Sequence, residues 1–310
     1  CKGLLLVEKK SHTLSHNISK IIACSFCNKL LIKSDQDLKC NNCDLTYSYN
    51  ASGSLDLRLK KQKSAMFEFK LGDPTISEDE FSIEALKQKI LPEVDFSGFK
   101  PPNHLTKEIL SYFPKAKSTE SLMLDLGCGV GIHRSVCELS GFEWVGLDYN
   151  SAKAPFIGDG HALPFISEAF EFVLSVAVLE HIRYPFVMMR EIFRVLKPNG
   201  MFIGTVAFLE PFHGNSFYHH THLGLINWLL HGGFEIKKIS PHTNWPVLKA
   251  QAKMGLFPKM HGWMATSIVL PLQLLHLIWW RLGSLTSPKA TEQRRIRNTT
   301  GAFTFIAMKI

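Results

Sequence analysis

The chain has 310 residues, 45% of them hydrophobic and 20% charged, which suits one large or two modest globular domains with ample material for a core. Its net charge of +8 and pI of about 9.1 admit nucleic acid, anionic lipid or an anionic substrate as partner and select none of them. Seven cysteines, four of them in a CxxC–x12–CxxC pattern, exclude a disulfide framework and predict a reduced, cytoplasmic protein with a metal site.

Residues 1–20 are basic, with Lys2, Lys9, Lys10 and Lys20. The start at Cys1 reads as a fragment or a processed chain, and Leu4–Val7 is too short an apolar run for a signal peptide. Residues 21–59 read as a zinc ribbon. Cys24 with Cys27 and Cys40 with Cys43 form two knuckles, and each pair can place both thiolates on one ion. The β-prone stretches Leu30–Ile32 and Leu45–Tyr49 supply the ribbon arms. Four thiolates leave no open position, so the Zn2+ is expected to be structural, and so small a unit depends on it to fold.

Residues 60–120 are expected to link the two units through helices. Ser77–Leu91 has apolar positions at 81, 83, 86, 90 and 91 behind an acidic start, and His104–Phe113 repeats the pattern at 105, 109, 110 and 113. Phe96, Phe99 and His104 are candidates for a cover over a ligand, with plain packing as the other use of such aromatics.

Leu124–Gly131, LDLGCGVG, follows an apolar strand and precedes an amphipathic run from Ile132 to Leu139. Glycines at 127, 129 and 131 permit positive φ and close approach of a ligand to the backbone. The third glycine comes too early for the dinucleotide pattern, and Asp125 would repel a pyrophosphate but suit an amine-bearing cation. Beyond it, strand signals at 121–126, 143–148, 155–158, 170–177, 201–207 and 234–239 alternate with helix signals at 132–140, 184–196 and 222–231. That alternation predicts a doubly wound parallel α/β sheet with ligands at the carboxyl ends of its strands.

On these motifs the sequence resembles the class I S-adenosylmethionine-dependent methyltransferases. The resemblance runs through LDLGCGVG, FEWVGLDYN at 142–150, GDGHALPF at 158–165, FEFVLSVAVLEH at 170–181 and RVLKPNG at 194–200. It implies a seven-stranded Rossmann-like methyltransferase sheet over residues 121–310 that binds S-adenosyl-L-methionine. By the same resemblance Asp125, Gly127, Gly129 and Gly131 hold the methionine end of the cofactor. Asp148 takes the ribose, Asp159 and Gly160 the adenine, and Ser175 ends the fourth strand at the site. Only ten residues separate Asp148 from Asp159, so the helix usual between the second and third strands is reduced to a loop. His181 lies on the rim after the fourth strand and is the candidate to orient an acceptor or take its proton, bracing of the loop being its other use.

The stretch 208–223, FLEPFHGNSFYHHTHL, falls on the substrate side of this fold. His213, His219, His220 and His222 lack good metal spacing, so packing and hydrogen bonding in a substrate loop is the preferred reading over a second metal site. Residues 241–300 are an insertion before the last strand, GAFTFIAMKI at 301–310. Ala265–Leu282 approaches the length of a spanning helix but is interrupted by Pro271, Gln273 and His276. Both flanks must join one sheet, so a single crossing is set aside. A cap over the substrate cleft, peripheral membrane contact through 265–282 and a homodimer face stay open. The expected acceptor is a small molecule or lipid. RNA, read by the ribbon, is the alternative, and a non-catalytic cofactor-binding protein is a third reading. The D/N-P-P-Y motif of many base methyltransferases is absent, since the chain reads Ser175-Val176-Ala177-Val178.

Overall fold

The computed structural model describes residues 14–69 and 81–310. It opens with a single turn, α1 (His16–Ser19), whose N-cap Ser15 accepts the Ile18 N–H. A small antiparallel sheet follows, β1 (Ile32–Ser34), β2 (Asp37–Cys40) and β3 (Leu45–Tyr47), in that spatial order. These are the expected ribbon arms, and the second cysteine pair sits where β2 ends, at Cys40, and in the turn to β3, at Cys43.

The ribbon is not a separate body. Ala23 N–H donates to the Pro164 carbonyl at 2.9 Å and Ile166 N–H to the Ile21 carbonyl at 2.9 Å. Leu38, Leu45 and Tyr47 share one apolar core with Leu122, Phe156 and Phe165. The next strand, β4 (Leu55–Asp56), leaves the ribbon and pairs in parallel with the main sheet. The main sheet therefore has eight strands rather than the expected seven, and the stretch expected as ribbon, 21–59, includes a strand of the larger unit. The physical reason is burial: Leu55 and Leu57 are fully enclosed, and an edge strand is the cheapest way to pair their backbone.

Of the helices expected over 60–120, the described part keeps only α2 (Lys107–Leu110), capped by Thr106. Residues 77–80 of the first expected helix lie outside the described residues. Its remainder, 81–91, is irregular, with Ile83 bridging to Ile239 on the sheet. One extended contact there buries Ile83 without the nucleation cost of a helix.

The α/β unit then follows the predicted alternation closely. In order it comprises β5 (Leu122–Leu126), α3 (Arg134–Leu139), β6 (Glu143–Asp148), β7 (Phe156–Ile157), β8 (Phe170–Val176), α4 (Pro185–Val195), β9 (Leu196–Ala207), α5 (His222–His231) and β10 (Phe234–Pro241). Every residue of β5 is buried, as in a central parallel strand covered on both faces. Helix α4 starts on Pro185 and turns Met188, Met189, Ile192 and Val195 inward, at the 3–4 residue spacing that makes one apolar face.

Three helices fill the insertion: α6 (Val247–Ala250), continued by a π-helical turn at Gln251–Leu256, then α7 (Gly262–Thr286) and α8 (Glu292–Thr299). The last strand, β11 (Ala302–Lys309), runs antiparallel between β9 and β10. The sheet order is β10-β11-β9-β8-β5-β6-β7-β4. Successive strands depart to one side from β5 and to the other from β8, so the carboxyl ends of β5 and β8 diverge into a crevice.

The insertion departs from expectation twice. Pro271 does not interrupt it: α7 is one helix of 25 residues with the proline inside. Most of α7 is exposed, so the carbonyl left without its helical bond faces solvent. Nor does α7 cap the cleft. Its buried residues, Ala265 and Val269, pack on Ala252, Leu248 and Phe257 of the preceding turns, and none of its residues lines the crevice.

Candidate active site

The crevice at the switch point is a cleft of about 1590 Å³. Its floor is the turn after β5. Gly127, Gly129 and Gly131 all have positive φ, at 76°, 55° and 80°. At Gly127 a Cβ would come within 2.3 Å of a Val178 methyl, so the loops after β5 and β8 touch only because the residue is glycine. Gly127 lines the cleft; Gly129 and Gly131 shape the turn behind it.

Asp148, at the end of β6, lines the cleft as expected. Its Oδ2 accepts the Gly129 N–H at 2.9 Å, and its Oδ1 accepts those of Asn150 at 3.1 Å and Ser151 at 2.9 Å. A carboxylate has about four acceptor positions, so one remains on Oδ2. Asp159 and Gly160 also line the cleft, after β7. Asp159 Oδ1 accepts from the His161 backbone N–H at 2.9 Å and lies 2.6 Å from His161 Nδ1. His161 Nε2 accepts the Tyr184 N–H at 3.1 Å, which places the ring proton on Nδ1 as a donor to Asp159. Burial raises the Asp159 pKa, but the two bonds from His161 outweigh it and hold the carboxyl below its ordinary value.

Besides Gly129 and Gly131, two further predicted site residues are not on the cleft wall. Asp125 is buried beneath the glycine turn, where its Oδ2 accepts the Trp144 indole N–H at 3.1 Å and its Oδ1 lies 4.0 Å from His133 Nδ1. It faces the interior because β5 is covered on both sides. Burial, with Asp148 nearby, pushes its carboxyl up to about 7 against the pull of the indole bond. Ser175 is likewise enclosed within β8. The chain turns out of the sheet two residues later, at Ala177 with φ 54°, so Ala177 and Val178 form the wall there instead.

His181 lines the cleft at the end of a 3-10 turn, Leu179–His181. Its ring meets that of His213 at 5.2 Å and 84°. Burial, reinforced by His213, lowers its pKa. Glu180 is fully buried beside it. The other histidines of the 208–223 loop go elsewhere. His220 packs on Trp228 at 4.2 Å, His219 stacks with Phe212, and His222 meets Phe303. The packing reading thus holds for those three, whereas His213 turns toward Glu180 and His181.

The cover is also displaced from its expected place. Phe96 packs edge-on against Phe113 and Phe99 against Phe96, both on the core. The cleft is walled instead by Ala65, Met66 and Phe67, held by Arg190, which donates to the Met66 carbonyl at 3.0 Å and stacks over Phe67 at 4.6 Å. Nothing in the spacing of 60–67 announces this; only the parallel pairing of β4 with β7 brings that segment to the site. Tyr149 and Asn150, immediately after the predicted Asp148, are further lining residues, and the strand-end rule reaches them by adjacency.

At the ribbon, Cys24, Cys27, Cys40 and Cys43 converge, with one sulfur from each within 4.8 Å of the others and Cys27 Sγ 3.5 Å from Cys40 Sγ. Tyr47 Oη lies 3.2 Å from Cys24 Sγ and 3.1 Å from Ser25 Oγ, closing the cluster from the core side. Burial raises the Cys27 thiol, but bonds from the Lys29 backbone, Cys43, Cys40 and Asn42 outweigh it and bring it to about 7. Four converging thiols of this kind are the donor set of a closed tetrahedral zinc site.

Residues 124–204 match the family described as a methyltransferase domain. This stretch of the chain carries a methyltransferase domain. The chain is 29% identical over 122 residues to an uncharacterised methyltransferase of Mycobacterium leprae, covering 35% of this chain and 43% of that protein. It is 34% identical over 100 residues to the sterol 24-C-methyltransferase of Schizosaccharomyces pombe, covering 26% of each. The chain thus spans less than half the length of these curated relatives. Among solved structures, it is similar at a TM-score of 0.44 and 16% identity to a Haloferax volcanii complex of the Trm112 methyltransferase activator with a putative methyltransferase, over 65% of this chain and 87% of that one. The phosphoethanolamine N-methyltransferase 2 of Haemonchus contortus, in complex with S-adenosyl-L-methionine, is similar at 0.41 and 17%, over 64% and 49%.

The buried Asp125 makes a testable pair of pH values. Its folded pKa lies above that of an unfolded aspartate, so the native state holds the extra proton and stability falls as pH rises toward about 7. Asp125→Asn keeps the shape and removes the charge. The variant is expected to raise the melting temperature at pH 8 and to leave it nearly unchanged at pH 4, as read by thermal denaturation of both proteins.

Proposed function

We propose that the methyltransferase domain moves a methyl group from S-adenosylmethionine to a small-molecule or lipid-like acceptor held in the same cleft. The observation that carries this reading is the size and place of the cleft. At about 1590 Å³ it exceeds the roughly 300–1,000 Å³ of a pocket for one small ligand, so cofactor and acceptor fit side by side. The cofactor supplies a sulfonium methyl that is already activated by charge.

The remaining work falls to the chain's own residues. The Gly127 backbone lets the cofactor approach the turn closely. Asp148 offers a ribose its free Oδ2 position, and a second hydroxyl would displace the Gly129 N–H. Asp159, with Gly160 beside it, faces the adenine. Because Asp125 is enclosed, its role in this reading is to brace the turn through Trp144 and not to touch the ligand. The aromatic wall at Phe67 and Tyr184 excludes water, and His181 orients the acceptor. Held in line with the methyl, the acceptor attacks carbon, the carbon–sulfur bond breaks and sulfur keeps the electron pair, so positioning carries most of the rate.

A lipid-like acceptor draws support from α7. Apolar residues cover it all round, from Trp263 and Ile268 to Leu275 and Trp279, and nearly all stay exposed. From Ile236 to Thr291 the sequence contains no Asp or Glu, which suits an anionic membrane surface. Both flanks return to adjacent strands, β10 and β11, so α7 would lie along the bilayer rather than cross it.

Incubation of a fractionated cell extract with methyl-labelled S-adenosylmethionine tests the acceptor. Label is expected in the organic or small-molecule fraction, and Gly127→Val should cut it by about tenfold or more, the effect of roughly 1.4 kcal/mol. Label confined to RNA would overturn the acceptor class and make the ribbon its reader.

In this proposal the four-cysteine cluster holds structural zinc, and the shared core passes its stability to the sheet. Cys40→Ser should remove about one zinc per chain by elemental analysis and lower the melting temperature of the whole unit. Full folding with unchanged metal content would contradict the assignment.

A further inference from the structure

We propose that Glu180, His181 and His213 bind one divalent transition-metal ion at the edge of the cleft, separate from the four-cysteine cluster. One donor atom from each of the three lies within 4.8 Å of the others. The spacing in sequence hides this site, because His213 reaches the other two across the fold from the loop after β9.

The decisive group is Glu180. Its side chain is 0% exposed, and neither carboxylate oxygen has a hydrogen-bond partner among the described residues. A buried carboxylate without donors is costly. A cation beside it relieves that cost, and two imidazoles stand in place to complete its coordination. His213 Nε2 is 3.9 Å from Glu180 Oε1, room for an ion between them. The crossed rings of His181 and His213 allow one nitrogen of each to aim at a common point.

The support behind the donors has the order usual for a metal-bound histidine. His213 Nδ1 points away from Glu180, 3.3 Å from the Pro211 carbonyl and 4.0 Å from Glu210 Oε1. Glu210 is itself fixed by the Trp245 indole N–H at 2.7 Å. The bond to the Pro211 carbonyl places the proton on Nδ1 and leaves Nε2 as the free donor, with the Glu210 carboxylate beside the ring. Two imidazoles and one carboxylate suit zinc, iron(II), cobalt(II) or manganese(II) over magnesium or calcium.

Three protein donors leave coordination positions open. They face the cleft, because His181 and the adjoining Asn215–Phe217 line it. The ligand class this predicts is an acceptor with a hydroxyl or phenol oxygen. The bound ion lowers the pKa of that oxygen, its proton passes to solvent, and the oxygen forms a bond to the sulfonium methyl as the carbon–sulfur bond breaks. That role rests on the methyl-transfer reading; the site itself does not.

The test is a calorimetric and absorption titration of the purified full chain, as isolated with its metal, using cobalt(II). Uptake of one equivalent with a nitrogen–oxygen spectrum, free of thiolate charge transfer, is expected. His213→Ala and Glu180→Gln should each weaken it at least tenfold, and cobalt(II) should raise the melting temperature of the wild type and not of the variants. His213 is 30% exposed, so that variant folds even if Glu180→Gln does not. No such uptake by the wild type, or equal affinity in a folded His213→Ala, overturns the site. Uptake without any methyl transfer upholds the site and overturns the methyl-transfer reading instead.

Discussion

One carboxylate ties together the ends of two neighbouring strands, β5 and β6. Asp148, closing β6, accepts the N–H of Gly129 in the turn after β5 and those of Asn150 and Ser151 in its own loop. Its position depends on the parallel register of β5 with β6, which sets Asp125 opposite Gly146 and Leu126 opposite Leu147. The Gly127 and Cys128 N–H groups both reach the Leu147 carbonyl, so the turn is laced to β6 before any ligand arrives. On the other side Val178 presses against Gly127. The cleft is therefore shaped by backbone contacts that only glycine permits, a preorganised arrangement suited to holding a reactive pair in line.

The ribbon enters this account as part of the same core. Its arms bury Leu38, Leu45 and Tyr47 in one core with residues of the large sheet, and β4 completes the sheet edge. From β4 the chain runs straight into the Met66–Phe67 wall, where Arg190 of α4 fastens it. A change at the cysteine cluster is thereby connected to the cleft through contiguous packing and one strand, without any need for the ribbon to touch a substrate.

The strands and helices of the α/β unit were legible because each is a long periodic run with clear punctuation. β6 falls at 143–148 as its apolar pattern dictates, and α4 begins on Pro185. Gly127, Asp148, Asp159, Gly160 and His181 were legible as cleft residues because strand ends and glycine turns have local signatures. Asp125 and Ser175 misled because their neighbours in sequence lie at the site, while the pleat turns their own side chains into the interior. The 81–91 segment has helical spacing, but a single extended contact at Ile83 wins. The Glu180–His213 pairing and the Phe67 wall are long-range products of topology. No local pattern encodes them.

The central claim is that the switch-point cleft binds S-adenosylmethionine through Asp148, and isothermal titration of the cofactor into wild type and Asp148→Ala addresses it directly. The account predicts measurable binding by the wild type and an affinity at least about tenfold weaker in the variant, roughly 1.4 kcal/mol, with the circular dichroism unchanged. Equal affinity in the two proteins, or no binding by the wild type, would contradict it.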